Sequence, residues 1–206
     1  SSVTDGEWVR ESSKVAYDGF TRIRRDVYRL PTGARTEWDV LDQRDTVAVV
    51  AFTPHGTVVV FDQFRVGPRR VVAEIPGGAV DPGETPPEAG VRELKEETGY
   101  AAGAVFHAGS EWSGANSTRR KHVLVAADCV VAGPPEWGDA ESGTVREMTD
   151  AAFMEHLLSG DLSDAGVALR GLNVFLREPQ VDARLAELQG RVRAVLAAPA
   201  QVDSDS

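Results

Sequence analysis

Residues 78–100 read GAVDPGETPPEAGVRELKEETGY, and the reading of the whole chain starts there. Thr85-Pro86-Pro87-Glu88 is a helix-start signal. Thr85 is a capping residue, Pro86 suits the first helical position, and Glu88 completes a capping box. The helix is predicted to run through Thr98, with Gly99 as a stop just past its end. On it Glu93, Glu96 and Glu97 are related by i, i+3 and i+4, so their carboxylates share one face. Val91 and Leu94 point elsewhere, onto a sheet.

Carboxylates stacked on one helix face repel one another, and like charges at i,i+4 are destabilising. Arg92 and Lys95 offset part of that repulsion. A bound hard cation offsets it better, because Mg2+ or Mn2+ takes oxygen ligands and bridges carboxylates to substrate phosphates. A solvated, charge-laced surface helix has the same composition, but Gly78, Glu84 and Gly99 at fixed spacing around RELKEE argue for a site. Upstream, Val71 to Pro76 reads as a short strand ending at proline, and Gly77-Gly78 as a tight turn where backbone approaches a ligand closely. The Gly77 carbonyl can then join the carboxylates as a metal ligand. The device implied is a loop and helix presenting metal to a diphosphate, with a metal-bound water aligned for attack at phosphorus.

Working outward, 206 residues suffice for one sizeable core with a small appended subdomain. No apolar run approaches membrane-spanning length, and SSVTDGEWVRESS lacks the basic and apolar regions of a signal peptide, so cytoplasmic residence without membrane attachment is expected. The single cysteine, Cys129, excludes an internal disulfide framework and lies in an apolar strand pattern, as a buried inert thiol would. A net charge of −10 argues against nucleic acid as a partner. Metal ions and local arginines would then set the potential at an anion site.

Strand-like stretches occur at Gly19–Leu30 and Glu37–Leu41, within an N-terminal strand segment, residues 1–44. Val47–Phe52 and Val58–Phe61 are strands joined by the turn Thr53-Pro54-His55-Gly56. Further strands are predicted at Ala104–Ser110, His122–Val131 and Thr144–Met148. Helices follow at Asp150–Ser159 and Asp164–Arg177. A C-terminal helix, within residues 179–197, places Val181, Leu185, Leu188, Val192 and Val195 on one stripe. Residues 198–206 read as a disordered tail. The sum is a mixed sheet flanked by helices, α/β or α+β, in sandwich-like layers.

The pattern Gly78-x5-Glu84-x7-Arg92-Glu93-Leu94-x-Glu96-Glu97-x-Gly99-Tyr100 resembles the signature of the Nudix hydrolases, metal-dependent enzymes that cleave a diphosphate linked to a nucleoside. The resemblance implies a Nudix-type α/β/α sandwich over residues 45–178, with a small N-terminal antiparallel sheet. Asp62-Gln63-Phe64-Arg65, Glu74-Ile75-Pro76-Gly77-Gly78 and Gly160 to Gly166 are similar to the ADP-ribose pyrophosphatase branch. So is the N-terminal strand segment, which in that branch forms a small sheet exchanged between two subunits and so implies a homodimer.

Carried over residue by residue, the resemblance makes Glu93 and Glu97 the main metal ligands, Glu96 a third, and the Gly77 carbonyl a neighbour. Gly78, Arg92 and Gly99 support the box, Arg92 by ion pairing, and Glu84 supports the box or a further metal. Arg65 and Glu74 match positions facing the nucleotide; a sheet-edge arginine and an inward carboxylate bonded to the box are the alternatives. Glu141 matches the general base, with Glu136 and Asp139 competing. The neighbourhood Glu111-Trp112-Ser113-Gly114-Ala115 lacks a proline frequent in that branch. Trp112 can stack on a base or sugar, or be structural. Arg119-Arg120-Lys121 can reach a terminal phosphate or face solvent. The reaction implied is Mg2+-dependent hydrolysis, with Mn2+ as a possible substitute, of ADP-ribose or a related nucleoside diphosphate sugar. Another nucleoside diphosphate derivative is the rival substrate, and a nucleotide-sensing domain the rival class.

Overall fold

The N-terminal sheet is held by backbone pairing and ion pairs rather than by an apolar face. In the computed structural model, which describes residues 6–138 and 142–198, strands β1 (Val9–Asp18), β2 (Arg22–Arg29) and β3 (Arg35–Leu41) pair antiparallel in the order β1-β2-β3. β1 has no counterpart in the sequence reading, because almost all of its side chains are exposed and no alternation marks it. Glu11 instead draws Arg29 and Arg35 together at 3.0 and 2.7 Å. The strand expected from Gly19 begins at Arg22, and Phe20 is fully exposed in the bend before it. Asp26 is buried in β2. Burial pushes its carboxyl up, but Ser13, Arg24 and Arg10 outweigh that and hold it below the ordinary carboxylate range. Trp8 packs on Tyr28 and Trp38 at ring distances of 6.1 and 6.4 Å. This sheet and residues 111–121 form one compact unit, and residues 46–110 with the described residues of 122–198 form the other.

The larger unit is layered around strands buried on both faces. It contains β4 (Thr46–Ala51), β5 (Thr57–Arg65), β6 (Arg70–Glu74), β7 (Gly77–Ala79), α1 (Pro86–Thr98), β8 (Tyr100–Ala101), β9 (Ala104–Trp112) and β10 (Arg120–Ala127). After these come β11 (Val130–Val131), β12 (Gly143–Thr149), α2 (Asp150–Ser159), α3 (Ala165–Arg177) and α4 (Ala183–Ala197). β9 ends and β10 begins within the N-terminal unit. The strand orders are β7-β4-β10-β9, β12-β5-β6 and β11-β8. Val47, Val49 and Ala51 face α1 through Ala89 and Leu94, whereas Ala48, Val50 and Phe52 face Phe153, Leu172 and Phe175 of α2 and α3. That double burial is why these strands read as unbroken apolar runs. The stripe of α4 is present: Leu185, Leu188 and Val192 are buried in the same core, with Val181 and Val195 packed against it.

Three local readings need correction. Gly77-Gly78 is not a turn but the start of β7, paired with Ala48 and Val47. A Cβ on Gly77 would sit 2.3 Å from the Val47 carbonyl oxygen, so glycine is required there for strand approach. Val91 does not face the sheet; it is exposed, and α1 buries Ala89, Gly90, Leu94 and Thr98 instead. The strand expected over 122–131 breaks at Asp128, whose φ of 53° leaves the extended region. Cys129 follows, buried, and burial pushes its thiol up to about 12, too high for a nucleophile. Of the tail expected over 198–206, Ala198 caps α4 and residues 199–206 lie outside the described residues.

Two helical glycines separate packing from propensity. On α3 a Cβ at Gly171 would meet Val123 at 2.6 Å, and the β-branched side chain there is stiff; on α4 Gly190 has nothing within 4 Å. Gly171→Ala is expected to destabilise by about 1–3 kcal/mol, and Gly190→Ala to stabilise by up to ~1 kcal/mol. Urea unfolding of the two variants beside the parent chain measures both.

Candidate active site

Helix α1 starts where its caps dictate. The Thr85 hydroxyl accepts from the Glu88 amide, the Glu88 carboxylate accepts from the Thr85 amide at 2.8 Å, and Pro86 opens the helix. Gly99 ends it at φ 76°, donating its N–H to the Lys95 carbonyl at 2.7 Å. Leu94 and Ala89 pin one face to the sheet, and this sets Glu93, Glu96 and Glu97 on the adjoining face.

Arg92 organises that face. Its Nε and one terminal nitrogen donate to both oxygens of Glu84, at 2.9 and 3.1 Å. The other terminal nitrogen donates to Glu93 at 2.8 Å and Glu96 at 2.9 Å. A further bond reaches the Ala79 carbonyl at 3.0 Å, tying the loop before the helix to the helix itself. Glu84 foremost, with Glu93 and Glu96 adding, raises the guanidinium above its ordinary value and outweighs the cost of partial burial. In return the hydrogen bond from Arg92 holds the Glu84 carboxyl below the ordinary carboxylate range.

The three helix carboxylates divide between two holders. Glu93 and Glu96 lie on Arg92, and Glu97 accepts from the Gly77 amide at 2.8 Å. The Glu93 carboxylate lies against Gly78, where a Cβ would stand 2.4 Å from its oxygen. Any larger residue at 78 would expel it. Among the described residues no three His, Cys, Asp or Glu side chains converge as a metal cluster in this arrangement. The donor set itself suits a hard divalent cation: oxygen ligands only, one helical turn apart, with Glu93 15% and Glu96 42% exposed. An open cleft of about 570 Å³ runs beside them, bounded by Pro87, Val91, Lys95, Glu96, Val105 and Glu136.

Arg65 and Glu74 form a second group at the ends of β5 and β6. Arg65 Nε donates to Glu74 at 3.1 Å, and Glu74 is 2% exposed. Its remaining bonds come from Ser163, whose amide and hydroxyl donate at 3.0 and 2.7 Å. Glu74 is thus a buried brace, and both it and Arg65 line a cleft of about 410 Å³ with Arg70, Asp161 and Leu162; Arg65 is the more exposed member. Ser163 escaped the sequence reading, although the motif around it did not; its partner is 89 residues away. Trp112 belongs to the N-terminal unit, 62% exposed, with the Arg120 guanidinium 4.6 Å from its ring centre. Asp139 and Glu141 lie outside the described residues.

The capped helix, the close glycines and the carboxylate face stand on a layered core of sheets flanked by helices. The profile of the NUDIX domain matches residues 42–161, more than half of the chain, and the chain belongs to that family. Members generally use divalent metal ions and act on small nucleotide substrates. An ADP-ribose pyrophosphatase of Bacillus subtilis is 40% identical over 73 residues, 35% of this chain and 40% of the relative. The chain therefore spans well under half of that relative in the match. A Streptomyces rubellomurinus CMP-5'-(N-acetyl-N-hydroxy-3-aminopropyl)phosphonate hydrolase is 27% identical over 82% of both chains. The crystal structure of an ADP compounds hydrolase superposes with a TM-score of 0.64, covering 95% of this chain and 97% of that one at 18% identity, which shows a shared fold.

The Glu84–Arg92 pair makes stability depend on pH in a defined direction. Because the folded Glu84 value is lowered, its contribution is present above the unfolded carboxylate value and is lost as pH falls through the folded one. Glu84→Gln is expected to be less stable than the parent at neutral pH and to converge with it on acidification. Circular dichroism of denaturant unfolding at stepped pH reads the difference.

Proposed function

We propose that this chain is a metal-dependent pyrophosphohydrolase acting on ADP-ribose or a related nucleoside diphosphate sugar. Water would add to one phosphorus, the bond to the bridging oxygen would break, and a nucleoside monophosphate and a sugar phosphate would leave. The observation that carries this reading is the α1 face, where Glu93, Glu96 and Glu97 are held by Arg92 and the Gly77 amide.

Glu93, Glu96 and Glu97, with the Gly77 carbonyl, would hold Mg2+, or Mn2+ in its place. The bound metal neutralises phosphate charge and lowers the pKa of its water. Arg92 keeps the unliganded carboxylates oriented and compensates their charge. Arg65, braced by Glu74, would bind the nucleotide, because both line the cleft and the Arg65 side chain is 38% exposed against 2% for Glu74. For Trp112 the proposal is stacking on a base or sugar. Glu141 is the proposed general base, with Glu136 the competing carboxylate on the cleft beside Glu96. A net charge of −10 supports a small-molecule substrate rather than nucleic acid. Among the described residues no helix is long and apolar enough to cross a membrane. The exposed aromatics Trp8, Tyr17, Phe20 and Trp38 on the N-terminal unit support a homodimer formed through it.

A second reading keeps the chemistry and changes the substrate to another nucleotide-linked phosphate. Two observations favour it: Glu111 to Ala115 lack proline, and a relative covering most of the chain is named for a CMP-linked phosphonate.

With Mg2+ or Mn2+, ADP-ribose should yield AMP and ribose 5-phosphate in a panel that includes other sugar nucleotides, dinucleoside polyphosphates and CMP-linked phosphonates. Glu97→Gln should lower kcat/KM by at least roughly 10²-fold. Turnover of none of these compounds, or turnover indifferent to Glu97→Gln, would sink the reading.

A further inference from the structure

The C-terminal end of α1 has a feature that neither the signature nor the ion-pair network explains. The last carbonyls of a helix lack intrahelical donors, and here those of Glu96 and Glu97 are capped from a segment about forty residues downstream. Gly99 donates to the Lys95 carbonyl, the Glu136 amide donates to the Glu96 carbonyl at 2.7 Å, and the Trp137 indole Nε1 donates to the Glu97 carbonyl at 2.8 Å. The amides of Ala132 and Gly133 both donate to the Gly99 carbonyl, at 2.8 and 3.2 Å. A Cβ on Gly99 would stand 2.2 Å from the Gly133 carbonyl oxygen. The last glycine of the box therefore does two things: it adopts the left-handed stop, and it leaves room for this strap.

Two of the capped carbonyls belong to Glu96 and Glu97, whose side chains face the candidate metal site. Glu97 is gripped at both ends, its carboxylate by the Gly77 amide and its carbonyl by Trp137. The indole ring is fixed in turn, packed on Phe61 of β5 with ring centres 5.4 Å apart. There is an electrostatic reason for such a grip. The C-terminus of a helix carries partial negative charge, and two carboxylates sit in its last turn. N–H donors on the free carbonyls reduce that repulsion and hold the turn in register with the sheet.

We infer that Trp137 is a positioning residue for the metal-binding turn, acting through the Glu97 backbone and not on the substrate. The inference rests on the metal-site reading of Glu93, Glu96 and Glu97. Removing the indole donor while keeping an aromatic ring on Phe61 leaves the core intact and loosens the turn.

The test is Mn2+ titration of the full chain, with free Mn2+ followed by electron paramagnetic resonance, for the parent, Trp137→Phe, Trp137→Tyr and Glu97→Gln. The two aromatic variants are expected to bind Mn2+ roughly tenfold more weakly, as lost outer-shell support commonly does, with melting temperatures close to the parent. Glu97→Gln is expected to lose the site. Aromatic variants that bind within twofold of the parent, while Glu97→Gln loses binding, would overturn the positioning role and leave the metal site standing. A Glu97→Gln variant that binds like the parent would overturn both. If an aromatic variant unfolds, hydrogen exchange of the parent decides: a Glu136 amide no better protected than exposed loop amides overturns the strap.

Discussion

Arg92 is the constraint on which the site depends. Three acidic side chains and the Ala79 carbonyl converge on one guanidinium. The planar fork can satisfy Glu84 bidentately and still donate to Glu93 and Glu96, which a lysine ammonium on a flexible stem does less well. Because the guanidinium does not deprotonate, the clamp persists across the range in which its carboxylate partners are charged. It also decides the path of the chain before the helix, since residues 79 and 84 are drawn to the residue that orients the acidic face.

The clamp works because the helix beneath it is packed closely into the core. Leu94 and Ala89 sit in a cluster with Val47, Val49 and Leu124, and Gly90 lets α1 descend so far that a Cβ there would meet Leu124 at 2.4 Å. Gly77, Gly78 and Gly99 serve the same end at the site, each opposite an atom that a side chain would displace: a strand carbonyl, the Glu93 carboxylate, and the strap carbonyl of Gly133. Only Gly99 among these three has a positive φ. For the other two the demand is close approach, not backbone freedom. The same surroundings separate Glu74 from Glu93. Both are acidic residues near the box, but Glu74 is held by Arg65 and Ser163 at 2% exposure, whereas Glu93 is held by Arg92 at 15%.

What could be read along the chain was whatever the chain encodes locally. The limits of α1 follow from Thr85, Pro86, Glu88 and Gly99, all within or next to the helix, and α2 occupies the span its pattern indicated. The strands β4 and β5 announce themselves because burial on both faces demands apolar residues in series. β1 was missed because its stability comes from a neighbour's backbone and from ion pairs to Glu11, which leave no periodicity. Gly77-Gly78 was misread because a turn and a close strand approach call for the same residue.

By itself, then, the sequence determined the capped helix, the shared face of its carboxylates and the layered class of the fold, since each is written in residue patterns that span a few positions. Tertiary structure alone decided that Glu74 turns inward to Ser163, that Val91 faces a cleft rather than the sheet, and that Trp137 closes the end of α1. Those outcomes depend on which distant segments the core brings to the helix and to the ends of β5 and β6. A hydrogen bond to a backbone carbonyl forty residues away carries no residue-type signature at the position that receives it.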